Sequence, residues 1–468
     1  MIITRFAPSP TGELHIGGAR TALFSYLHAK KNKGRFLLRI EDTDKERYIE
    51  GSDKRIIESL NWLGLEIDNA DHIMVQSQRL EIYRKNALDL VASGNAYICA
   101  CSKEKLAQER EKQSNDKEPP KYNRHCRNLN ITLEENGKKN FVVRMKMPES
   151  GEIVVRDLIR GEVEFDLSLF DDQILLKSDG YPTYHLASVI DDHEMEITNV
   201  IRAEEWLPST PKHLILYNMF GWQAPEFAHV PMILAADKSK LSKRHGAMGI
   251  FEYKKMGYLP EAIINFMVLM GWHPGNDQEI FNLEELVNAF DLKRVQKGGA
   301  VFDVLKLNWL NAQYLRRKDD NAILESLKEF YGEEISQNPD FSLNVIKFGK
   351  NRMTKLTDFK AVLDSFSLVE YEKDLLIWKG SSPEEALLNL KKSKEILEFL
   401  SDSEFNQKLL ETKIMALANS AGRGQVFWPL RVALSGKDKS PGPMEIMEVI
   451  GKQETLKRID IAIEKVGL

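Results

Sequence analysis

Two short apolar runs, Ile2-Ile3-Thr4-Arg5-Phe6 and Phe36-Leu37-Leu38-Arg39-Ile40, bracket the segment PSPTGELHIGG at residues 8–18. Pro8, Pro10 and Gly12 exclude regular structure at the start of that segment. From Gly18 onward Ala19, Ala22, Leu23, Tyr26 and Leu27 recur at helical spacing. The order is therefore strand, loop, helix, strand. A crossover of this kind predicts a parallel α/β sheet, which binds ligands beyond the carboxyl ends of its strands. The loop at residues 8–18 and Glu41-Asp42-Thr43-Asp44 both fall at such ends.

The residues of that loop suit a phosphate. Glycines let the backbone approach a ligand closely, and the N-terminus of the following helix favours an anion. His15 stands just before the helix, within a donor's reach of a phosphoryl group. A Pro/Gly turn with a structural histidine accounts for the same residues equally well. A second segment, KSKLSKRHG at residues 238–246, sets Lys238, Lys240, Lys243 and Arg244 against the single acid Asp237. It reads either as a solvated charge run or as a loop that folds over polyphosphate, where lysine acts as a movable point charge.

Around these segments the chain divides by pattern. The α/β opening covers residues 1–94. Residues 95–179 read as an insertion holding Cys99, Cys101 and Cys126, a solvated charged stretch at 103–121 and several strand-like runs. The α/β pattern resumes over 180–235, and a stem region with the second loop covers 236–320. From 321 to 468 the pattern is helical, with one marked helix start: Ser382 as N-cap, Pro383 next and Glu385 three after the cap. The longest apolar stretch, at 262–270, is interrupted by Asn265 and is about half the ~20 residues needed to span a bilayer. It predicts a core helix, and no membrane partner is expected. Lys and Arg number 65 against 70 Asp and Glu, which argues against a generally basic nucleic-acid coat while permitting a local basic surface. Three cysteines in 468 residues exclude a disulfide scaffold and fit a reducing, cytoplasmic setting.

Together the two loops carry a resemblance. PSPTGELHIGG resembles the first signature of class I aminoacyl-tRNA synthetases, and KLSKR resembles the second. The runs RFAPSPTG, RIEDTD, DGYPTYHLA (179–187), IRAEEW (201–206), NWLN (308–311) and PLRVAL (429–434) narrow the resemblance to bacterial-type glutamyl-tRNA synthetases. The match runs in order through the whole chain.

The resemblance implies a Rossmann-type α/β catalytic domain with an α+β insertion contacting the acceptor end, then an all-α anticodon-binding region. It implies ATP-dependent activation of glutamate and transfer to tRNA(Glu), with transfer to tRNA(Gln) as the alternative. Arg5, Ser9, Glu41, Tyr184 and Arg202 match glutamate-binding positions. Ser188 stands where the family often has Asn; a hydroxyl is shorter and has fewer donor sites than an amide, so its contact with glutamate is lost or passes through water. His15, Gly17, Gly18, Glu205, Trp206 and Lys243 match ATP-binding positions, and His15, Lys240 and Lys243 are the catalytic set expected to face the phosphates. Mg²⁺ would accompany ATP. Asp44 and Arg47 match positions near the tRNA 3′ end, and Arg352 a basic position of the anticodon region. Zinc-bearing members carry a histidine two residues after the last cysteine, where this chain has Asn128. Tyr122 or, less aptly, His125 would have to replace it, so zinc and reduced structural thiols both stand as readings of Cys99, Cys101 and Cys126. A monomer is expected. A smaller nucleotidyltransferase would explain residues 8–18 but not 321–468. A non-catalytic paralogue would have no need of His15, Lys240, Lys243, Arg5 and Arg202 together.

Overall fold

The computed structural model describes residues 1–117, 121–132, 141–241 and 248–467, apart from the side chains at 333, 334 and 336. It divides into two compact units, one of Met1–Lys255 with Pro260–Leu307, the other of Met256–Leu259 with Asn308–Leu468.

The opening forms as its pattern predicts: β1 (Ile3–Phe6), α1 (Ile16–Lys31) and β2 (Arg35–Ile40). All four residues of β1 are buried, as expected of a strand covered on both faces. The hydroxyl of Thr4, enclosed there, donates to the Ser25 carbonyl of α1 at 2.9 Å. Gly34 is required in the turn into β2, since a Cβ at that position would lie 2.0 Å from the Ile2 carbonyl oxygen.

The main sheet has the spatial order Met74–Val75, β2, β1, Asn199–Ala203, Glu226–Val230, Glu152–Asp157, Gly161–Asp166. Neighbours run parallel except the last pair, which is antiparallel. The chain leaves β1 toward β2 on one side and returns on the other with Asn199–Ala203. This reversal opens a crevice at the carboxyl ends of β1 and Asn199–Ala203, the usual ligand position in such sheets.

Part of the segment read as an insertion joins this sheet. Asp157 pairs with Phe227, and the Leu158 amide donates to the Phe227 carbonyl at 2.8 Å, so the hairpin over 152–166 satisfies the free edge of Glu226–Val230. The remainder forms a separate antiparallel sheet of Ala96–Cys99, Val142–Met145 and Ile174–Leu176. The charged stretch after Cys101 is helical over Lys103–Asn115 but buries no side chain. It is thus solvated in the way its composition requires.

The apolar stretch at 262–270 lies in the helix Pro260–Leu269, with seven buried residues. Asn265 is satisfied there: its amide donates to the Glu279 carbonyl and its oxygen accepts from the Phe281 amide, both at 2.8 Å. Among the described residues no helix is long and apolar enough to cross a membrane.

The second unit is helical, with Pro339–Gly349, Phe359–Phe366, Pro383–Glu398, Gln407–Ala421, Arg423–Ser435 and Pro443–Gly467 as its main elements. Ser382 accepts from the Glu385 amide at 3.3 Å while the Glu385 carboxylate accepts from the Ser382 amide at 3.1 Å. Reciprocal caps of this type stabilise a helix by about 1 kcal/mol.

Candidate active site

A cavity of about 1320 Å³ opens at the carboxyl ends of β1, β2 and Asn199–Ala203. Register explains the convergence. Arg5 pairs with Leu37 near the end of β1, and Arg202 pairs with His229 at the end of the strand beyond it. Glu41 follows β2 directly. The cavity wall therefore collects Arg5, Ser9, Glu41, Tyr184 and Arg202 from segments far apart in sequence.

The phosphate-type features lie on the same wall. His15 is the N-cap residue of α1 and is exposed, and Gly17 and Gly18 form the first turn behind it. That turn carries no acidic side chain, and a helix start offers free N–H groups to an anion. Its approach is fixed by residues 248–250: the Ile16 amide donates to the Met248 carbonyl at 3.3 Å and the Ile250 amide to the Leu14 carbonyl at 2.9 Å. Glu205, Trp206 and Lys240 also reach the cavity, and the Lys240 ammonium pairs with the Glu205 carboxylate. The Trp206 and Tyr184 rings lie 4.3 Å apart between centroids. Lys243 lies outside the described residues. Asp44 and Arg47 line the cavity and pair with each other at 2.6 Å, and this hydrogen bond holds the Asp44 carboxyl below its ordinary value.

Charges beneath the cavity are closely organised. Arg5 donates from Nε to Asp192 at 3.0 Å, and the fully buried Arg39 donates to Asp192 at 2.7 Å and to Glu41 at 2.9 Å. Asp191 takes hydrogen bonds from Gln76 and Tyr83, both at 2.8 Å, and from Arg79 at 3.1 Å. Burial alone would raise Asp192, but the charges of Arg5 and Arg39 outweigh it and hold the carboxyl below the usual value. At Glu41 burial wins over Arg39 and raises the carboxyl. Burial opposes the charge on Arg39, and the three carboxylates overcome it.

Arg202 is held differently. It donates from Nε to His229 Nε2 at 3.0 Å, from Nη1 to the Tyr184 hydroxyl at 2.9 Å, and from Nη2 to the Thr210 hydroxyl at 2.9 Å. His213 Nδ1 lies 3.2 Å from Nη1. His229 in turn faces Asp157 at 2.6 Å and His213 faces His185 at 3.1 Å. Burial, followed by the charge of Arg202, pushes His213 well below the usual histidine value. Burial, partly offset by Asp157, lowers His229, and burial followed by Lys212 and Arg202 lowers His185 to about 3.

Five of the expected residues lie elsewhere. Ser188 sits one turn past Tyr184 on the helix Tyr184–Glu194, buried and off the cavity wall, and its hydroxyl has no hydrogen-bond partner among the described residues. Arg352 is in the second unit, half-exposed and paired with Glu445 at 2.7 Å. Cys99, Cys101 and Cys126 gather with all three sulfurs within 4.8 Å of one another. The Tyr122 hydroxyl is 3.3 Å from Cys99 Sγ and 3.6 Å from Cys101 Sγ, while His125 is absent from the group.

Sequence reasoning missed Arg39 as a buried cation, and with it Asp191, Asp192, His213, His229 and Asp157. A signal existed in each case: a charged or imidazole side chain inside an apolar run, as in FLLRI, LASVIDD and EFAHV. Such a residue needs a buried partner, but the run does not say which.

Residues 1–309 match the family model described as tRNA synthetases class I (E and Q), catalytic domain, and residues 322–463 match an anticodon binding domain. With the crevice and the α1 turn, these define a class I aminoacyl-tRNA synthetase. A glutamate–tRNA ligase of Dehalococcoides mccartyi strain CBDB1 is 44% identical over 99% of this chain and 97% of its own. Glutamate–tRNA ligase 2 of Thermoanaerobacter pseudethanolicus is 43% identical over 98% and 97%. A crystal structure of a glutamate tRNA ligase from Elizabethkingia meningosepticum, in complex with its amino acid, superposes with a TM-score of 0.88 at 37% identity, covering 99% of both chains. The chain belongs to the glutamate–tRNA ligase family.

Proposed function

We propose that this chain activates glutamate with ATP and transfers it to the 3′ end of tRNA(Glu). The observation that carries the substrate reading is the cavity wall itself. It presents two guanidiniums suited to carboxylates, Arg5 and Arg202, with Glu41 suited to an ammonium. In the first step an oxygen of the glutamate α-carboxylate attacks the ATP α-phosphorus in line and pyrophosphate leaves. In the second a terminal tRNA hydroxyl attacks the acyl carbon, loses its proton, and AMP leaves. No covalent enzyme intermediate is needed, so the protein contributes position and charge.

In this reading Ser9 and Tyr184 orient the amino acid, and Ser188, buried off the cavity wall, takes no part in binding it. His15 and the Gly17-Gly18 turn receive the phosphates, Trp206 and Glu205 flank the nucleotide, and Lys240 and Lys243 neutralise developing charge. Mg²⁺ travels with ATP. Asp44 and Arg47 meet the tRNA 3′ end and Arg352 the anticodon arm, with 95–179 and 236–320 along the acceptor stem and 321–468 at the anticodon. The protein acts as a cytoplasmic monomer. The sulfurs of Cys99, Cys101 and Cys126 are close enough to share one ion, and zinc there would tie the small antiparallel sheet to residues 122–126; reduced structural thiols are the second reading of the same cluster.

The test is ATP–pyrophosphate exchange with glutamate and tRNA present. Exchange that requires glutamate is expected. No exchange at any pH would refute the proposal, and exchange indifferent to glutamate and tRNA would indicate a nucleotidyltransferase.

A further inference from the structure

Arg5 and Arg202 reach the same cavity in opposite electrostatic states. Arg5 rests on the Asp192 carboxylate, whereas Arg202 makes no ion pair among the described residues. Its acceptors are all neutral: two imidazoles, two hydroxyls and, at 3.4 Å, the Trp206 carbonyl. Asp157 stands one imidazole away, and its oxygens serve His229 Nδ1 at 2.6 Å and the amides of Ile159 at 2.9 Å and Arg160 at 2.7 Å.

A guanidinium only donates, so the two ring nitrogens facing it must accept. His229 therefore carries its proton on Nδ1 and gives it to Asp157. His213 carries its proton on Nε2 and gives it to His185 Nδ1 at 3.1 Å. We propose that His229 and His213 are positioning residues that seat Arg202 as neutral imidazoles, with Asp157 and His185 fixing their tautomers. The five N–H groups of Arg202 are then taken by neutral acceptors, so its charge faces the carboxylate of the substrate side chain uncancelled, and the Tyr184 hydroxyl it holds at 2.9 Å turns its own proton to that carboxylate. A carboxylate in either place would hold Arg202 as firmly but cancel the charge that separates a carboxylate from an amide. The inference rests on the reading of Arg202 as a glutamate-binding arginine.

The tautomers give it a sharp test. A glutamine amide oxygen can stand in for Nε2 of histidine and an asparagine oxygen for Nδ1, so the two positions have opposite preferences. In glutamate-dependent exchange with tRNA, His229→Gln should keep the KM for glutamate within about threefold, and His229→Asn should raise it about tenfold or more. At 213 the order reverses, with His213→Asn tolerated and His213→Gln impaired. The KM for ATP should stay within about twofold throughout. The same order at both positions, or KM values for glutamate all within twofold in folded proteins, would overturn the proposal. Where one pair fails to fold, the other decides. Arg202→Lys separates the two levels: if it leaves the KM for glutamate unchanged, the substrate reading of Arg202 fails. If it raises the KM while the histidine pairs do not, only the seat fails.

Discussion

Nε of Arg5 donates to Oδ1 of Asp192 at 3.0 Å, across 187 residues of sequence. The same oxygen accepts from Arg39 at 2.7 Å, so one carboxylate joins the ends of β1 and β2 to the helix Tyr184–Glu194. The cavity floor is thereby a single charge-paired unit drawn from three distant segments.

Removing Asp192 should be costly. Asp192→Ala leaves Arg39 without its shortest ion pair in a fully buried position, and loss of one partner from such a pair costs about 3–5 kcal/mol. Denaturant unfolding measures this. A change below about 1 kcal/mol would mean that water or Glu41 replaces Asp192 without loss.

The lysines of the second loop should affect chemistry more than amino-acid binding. Lys240→Ala and Lys243→Ala are each expected to lower kcat of exchange about a hundredfold, with the KM for glutamate within about twofold. A large rise in that KM with kcat intact would put these lysines on the amino acid instead.

Glutamate binding should weaken in acid earlier than an exposed carboxylate would dictate. Burial raises Glu41 above the ordinary 4.5, and a bound ammonium favours its ionised form. Affinity is therefore full above the raised value and falls by up to about tenfold per pH unit below it. Titration calorimetry of the wild type and Glu41→Gln separates this from the substrate's own ionisation. The variant should bind more weakly at neutral pH and lose the excess slope; equal slopes would remove Glu41 from the ammonium site.

Elemental analysis should find about one zinc per chain, and a chelator should lower Tm without dissociating any other element of the fold. Cys126→Ser should lose the metal, and Tyr122→Phe should retain it with reduced affinity. A metal-free protein whose Tm ignores chelator would leave the cysteines as structural thiols.

The sequence by itself determined what depends on near neighbours. Proline and glycine punctuation placed the loop before α1, helical periodicity placed α1, and the Ser382-Glu385 spacing marked a cap that forms with both its hydrogen bonds. Most of the residues expected to bind glutamate and ATP line one cavity, and they could be picked out through motifs because each motif is a short run that folding keeps together. What only the tertiary structure decided is pairing. Asp192 beneath Arg5, the imidazoles around Arg202 and the hairpin joining the main sheet at Asp157 depend on which strand ends become adjacent. Ser188 shows the same limit, since one turn of helix separates a residue on the cavity wall from a buried hydroxyl behind it. The physical reason is range. Caps and periodicity are set within about four residues, whereas a buried charge is tolerated only beside a partner that folding brings from elsewhere.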